Sequence, residues 1–170
     1  MTNRSKKLNA PPPRLVPGRP FPPYAYRPGK PHPTRDPEGH SFEAEEPLVP
    51  CPDPDQWQDC EDYLYGIDLF NAGYFWEAHE AWEGLWNACE REGPVADLMK
   101  ALIALAAALQ KSAAGNDTGV SKHAARAQAI LKDLTPQVGV FMGLDLDDLM
   151  EQASRLAAQP DHRPFLAPRT

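Results

Sequence analysis

Fifteen of the 20 prolines in this chain precede Asp55. Proline fixes φ and lacks an amide hydrogen, so a stretch this rich in it can form neither a helix interior nor a central strand. Residues 1–54 are therefore expected as an extended, polyproline-like arm. Residues 55–159 must supply the fold, with residues 160–170 as a C-terminal tail. That is enough chain for one compact core.

The arm is not a featureless linker, because Phe21, Tyr24, Tyr26 and Phe42 give it apolar anchors. Its PHPTRDPEGH segment places His32, Arg35, Asp36 and His40 on a backbone stiffened by Pro31, Pro33 and Pro37. Disorder is the competing expectation from composition. Charge argues for order. Residues 1–42 carry eight Lys or Arg against Asp36 and Glu38, a net of +6, and the rest of the chain carries −13. A basic arm on an acidic domain suits either a nucleic-acid tail or docking onto its own domain. Docking is favoured, since the domain's negative charge opposes approach to phosphate.

Beyond Asp55 the apolar period is helical and no strand alternation or internal repeat is present. The spacing predicts helices over about residues 55–71 and 74–91, separated by Gly73. Pro94 suits the first position of a third helix, which runs to residue 114 and stops at Gly115 with a left-handed cap. Asp117 or Thr118 can cap a fourth, in which Val120, Ala124, Ala127, Leu131 and Leu134 form an apolar stripe ended by Pro136. A last helix, about residues 145–158, opens with Asp145, Asp147 and Asp148, as the helix dipole favours. The fold class is all-α: a compact bundle of about five helices with the arm attached. The third helix contains ALIALAAAL, apolar on every face, and is expected at the centre.

That run of nine residues falls short of the roughly 20 that span a bilayer, and prolines follow Arg4, Lys6 and Lys7 where a signal peptide needs an apolar segment. Cys51, Cys60 and Cys89 are odd in number and lack C-x-x-C spacing, suggesting neither a zinc ribbon nor a disulfide framework. These features predict a cytoplasmic protein without a membrane partner.

Chemistry concentrates in residues 70–86, FNAGYFWEAHEAWEGLW, where His79, Glu80 and Glu83 sit among large aromatics. His79 and Glu83 are four residues apart and rise from one helix face. H-E-x-x-E is a relative of the H-E-x-x-H zinc signature. Imidazole and carboxylate suit zinc, manganese or iron, and a catalytic metal takes about three protein ligands. Glu80, His32, His40 and His123 are candidates to complete the set. On a helical wheel Trp86 nearly overlies His79, Trp76 and Glu83 lie to one side, and Glu77 points away toward solvent. Lys111 either snorkels outward or faces Glu80 and Glu83. Without metal, Glu80 or Glu83 beside His79 can act as an acid/base pair, or His79 and Glu83 can form a packing hydrogen bond. No G-x-G-x-x-G, P-loop or G-x-S-x-G motif is present. Gly115-Asn116-Asp117 is explained by a helix–helix turn.

The FNAGYFWEAHEAWEGLW segment, the alanine-rich helix ending in K-x-x-x-GN and the following TGVSKHAARA resemble the bacterial and archaeal family catalogued as domain of unknown function 309, over roughly residues 62–134. The resemblance implies a compact helical bundle of the kind often labelled predicted metal-dependent hydrolases. Its characteristic positions fall on Phe70, Asn71, Gly73, Glu77, His79, Glu80, Glu83 and Trp86, then Gly115, Asn116 and Gly119. Many members read Q-G-L-I-Q in the third helix, whereas this chain reads Lys100-Ala101-Leu102-Ile103-Ala104.

Two functions follow as expectations. One is a metal-dependent hydrolase of a small-molecule substrate, with one divalent metal on His79, Glu80 and Glu83, catalysis by Glu80 and His79, and Trp76, Trp86 and Lys111 lining the pocket. The other is a non-enzymatic, self-associating structural module in which the same cluster is a packing network and the chain forms a homo-oligomer.

Overall fold

The computed structural model describes residues 11–45, 47–135 and 139–169. Among them the fold is all-α, with five α-helices and one minimal β-hairpin. A 3₁₀ turn, Pro54–Asp59, precedes α1 (Glu61–Asn71), so the first predicted helix is split at Cys60, whose extended φ/ψ interrupts it. Helix α2 spans Phe75–Ala88, α3 Gly93–Ala113, α4 Asp117–Leu134 and α5 Leu146–Ala158. Asn116, rather than Asp117 or Thr118, caps α4, its side chain accepting from the Gly119 amide at 2.8 Å. Asp145 caps α5 by accepting from the amides of Asp147 and Asp148. The expected stop at Pro136 lies outside the described residues. Strands β1 (Val140–Phe141) and β2 (Leu144–Asp145) pair antiparallel, a hairpin too short to show alternation in sequence.

Helix α3 packs against α2 on one side and α4 on the other, and α1 covers α2. Leu98, Met99, Leu102, Leu105 and Leu109 of α3 are fully enclosed. Its 21 residues exceed the nine-residue apolar run, so by length and composition alone this helix could cross a membrane; most of it is buried inside the bundle. The interface between α1 and α2 is set by Gly66. A Cβ there would lie 2.4 Å from Trp82 Nε1, so glycine at 66 lets the Trp82 ring approach α1 this closely beside Phe70.

The arm docks on the bundle. Both oxygens of the buried Asp68 carboxylate accept arm amides, from Leu15 at 2.7 Å and Val16 at 2.8 Å, and Arg14 Nε lies 3.5 Å away. Arg19 donates to Asp62 at 2.8 Å and stacks on Tyr65, and Arg14 stacks on Phe21. Phe21 in turn stacks on Tyr74, with ring centroids 5.0 Å apart. Arg14 and Arg19 of the basic arm thus meet acidic side chains of α1.

One sequence expectation is overturned outright: Cys51 and Cys89 form a disulfide, leaving Cys60 as the free thiol. Residues 38 positions apart gave no spacing signal, because the partners meet only when the end of the arm reaches the end of α2. Closing a loop of this length stabilises the fold by about 3–4 kcal/mol. Cys51→Ser, or full reduction, is expected to lower the melting temperature on the order of 10 °C. Thiol titration of the unreduced chain should count only Cys60. Three reactive thiols and a melt insensitive to reductant would contradict the bridge.

Candidate functional site

Helix α2 presents the site because Gly73, at φ +88°, turns the chain sharply out of α1 and sends α2 back along it. From that start Phe75, Ala78, Trp82 and Leu85 face the core. His79 and Glu83 lie at its rim, with side chains 31% and 42% exposed, and Glu80 is similarly half-buried. His79 Nε2 lies 3.4 Å from Glu83 Oε2. One donor atom each from His79, Glu80 and Glu83 falls within 4.8 Å of the others.

Burial pushes the His79 imidazole below its ordinary value, while the Glu83 carboxylate pulls it back up. Burial also lowers His123 on α4, helped by the positive charge of Lys111, Arg126, Lys122 and His79. His123 is not in the three-residue cluster. Lys111 is exposed, its stem packed toward Gly119. Trp86 is half-buried beneath the Arg91 guanidinium, 4.7 Å from the ring.

The arm histidines go elsewhere. His40 Nε2 lies 3.0 Å from Glu77 Oε1 and its Nδ1 lies 2.8 Å from Ser41 Oγ, so both ring nitrogens are engaged away from His79. His32 packs its ring against Tyr26 and Trp76, and its Nδ1 accepts from the Thr34 amide. Trp76 is accordingly an anchor for the arm, meeting Tyr26, His32 and His40 edge-on.

Glu77 corrects the helical-wheel expectation of a solvated side chain: it is buried, accepting from the Tyr26 amide at 2.8 Å and facing His40. The wheel placed it correctly opposite His79, but that face is covered by the arm instead of water. Three of the arm's aromatic and histidine side chains gather on the neighbouring Trp76. Gln110 of α3 holds the same residue from its carbonyl, donating to Tyr26 O at 3.1 Å.

Asn71, in the F-N-A-G turn, has a role the sequence did not disclose. Its side chain donates to Leu166 O and accepts from Leu166 N, both at 2.8 Å, and so fastens the C-terminal segment to the end of α1. No curated protein matches this chain. Residues 63–122, which contain the F-N-A-G turn, the histidine–glutamate cluster and all of α2 and α3, match the family model described as domain of unknown function (DUF309), so this part of the chain is similar to that family.

Proposed function

We propose that this chain is a metal-dependent hydrolase acting on a small-molecule substrate, with His79, Glu83 and Glu80 as its centre. The observation that carries this reading is the convergence of three donor atoms on one half-buried rim of α2. The donor set fits a divalent cation. Two ligands about 2.1 Å from a tetrahedral zinc are about 3.4 Å apart, and His79 Nε2 and Glu83 Oε2 stand 3.4 Å apart. Mixed nitrogen and oxygen donors suit zinc, manganese or iron equally. A lowered imidazole pKa keeps His79 neutral near pH 7, with a lone pair to offer.

His79 and Glu83 would hold the ion from successive turns of one helix, which fixes their spacing without help from a loop. Bound there, the cation supplies Lewis acidity toward water and a substrate oxygen. Glu80, one position toward solvent, takes the proton that hydrolysis must remove.

The same His79–Glu83 contact is also what a packing ion pair would look like, and this favours a second reading as a non-enzymatic structural module. Glu80→Gln separates the two. In a hydrolase the variant keeps its fold and loses about 10²–10⁴-fold in turnover of an activated ester such as p-nitrophenyl acetate or bis(p-nitrophenyl) phosphate. In a packing module neither wild type nor variant turns over either ester with added zinc or manganese.

A further inference from the structure

A second site lies at the end of the bundle where α1 turns into α2. A cavity of about 380 Å³ opens there, lined by Arg27 of the arm, the F-N-A-G turn, Phe75, and Arg163 to Phe165 of the tail. This volume lies within the range of small-molecule sites, about 300–1,000 Å³. Its walls come from four parts of the chain, Ala113 at the end of α3 being the fourth, brought together by the docked arm and by the Asn71–Leu166 hydrogen bonds.

The lining holds two guanidinium groups and no carboxylate. The main part of the chain, residues 43–170, carries a net charge of −13, so a lining without a carboxylate stands out. Among the described residues neither arginine is ion-paired, whereas Arg14, Arg19, Arg155 and Arg169 all are. Both are nevertheless held in place. Arg27 donates through Nη1 to Tyr26 O at 2.9 Å and through Nη2 to Gly73 O at 2.5 Å, with its guanidinium over the Phe75 ring. Arg163 donates through Nη1 to Ser112 Oγ and His162 O. A guanidinium carries five N–H donors, so each retains several for a ligand. Oriented, unpaired arginines beside aromatic walls match a planar or tetrahedral oxyanion on a small apolar body.

We propose that Arg27 and Arg163 form a binding site for the carboxylate or phosphate group of a small organic anion, separate from the histidine–glutamate cluster. The two arginines bind the oxyanion while Phe75 and Phe165 contact the apolar part. The test is calorimetric titration of the full-length, EDTA-treated chain at low ionic strength with benzoate, phenyl phosphate and inorganic phosphate. Saturable binding of benzoate or phenyl phosphate is expected, and whichever binds more tightly identifies the head group. Inorganic phosphate binding as tightly as phenyl phosphate would overturn the apolar half of the site. Arg163→Ala, at an exposed position outside the core, should weaken binding about tenfold or more, and Arg27→Gln should do likewise. His79→Ala should bind as wild type does, which keeps this result independent of the metal reading. Absence of saturable binding by either organic anion, undiminished binding in Arg163→Ala, or loss of binding in His79→Ala would each overturn the proposal.

Discussion

Deletion of residues 1–50 is expected to lower the melting temperature by roughly 10–20 °C. The arm supplies the amides of Leu15, Val16 and Tyr26 and the His40 ring, which are the partners of Asp68 and Glu77. Among the described residues those are the two buried charged side chains. Hydrogen bonds to a charged acceptor contribute about 1.5–3 kcal/mol each, and burying an aromatic side chain such as Phe21 adds a comparable amount. Water replaces part of this once the carboxylates are uncovered, so a net loss on the order of 5 kcal/mol is the balance. A melt unchanged by the deletion would mean that the arm is a free tail.

Trp82→Ala is expected to destabilise the chain by about 3–5 kcal/mol. Trp82 is fully enclosed between α1 and the rest of α2, and it is the reason residue 66 is glycine. Its indole nitrogen has no partner among the described residues, so the loss is one of packed volume with no hydrogen bond to offset. Chemical denaturation measures this directly. A change below about 1 kcal/mol would show that α1 and α2 close over the vacated space. Because α2 also carries His79 and Glu83, a destabilised Trp82→Ala protein should lose site integrity only as it unfolds. Substitutions in the cluster itself should leave the melt nearly intact.

Much of the helix placement was legible from local signals: Pro94 lies in the first turn of α3, Asp145 caps α5, and the Val120-to-Leu134 stripe fits one face of α4. The central position of α3 followed from its having no polar face. What stayed hidden depends on contacts between residues far apart in the chain. Glu77 was placed on the correct side of α2, yet its burial is decided by the arm, whose path no local period encodes. The Cys51–Cys89 bridge and the Arg27–Arg163 cavity are hidden for the same reason. The His79, Glu80 and Glu83 grouping needed only one turn of helix, so the sequence could suggest it.

The most direct test of the metal reading is the metal content of the full-length chain, purified without a histidine tag or chelator, beside His79→Ala and Glu83→Ala. About one equivalent of a divalent metal in the wild type, lost in both variants while their melts stay near wild type, is the expected result. A folded wild type that holds no metal and takes up none from added zinc, manganese or ferrous iron would contradict it and leave His79 and Glu83 as a packing pair.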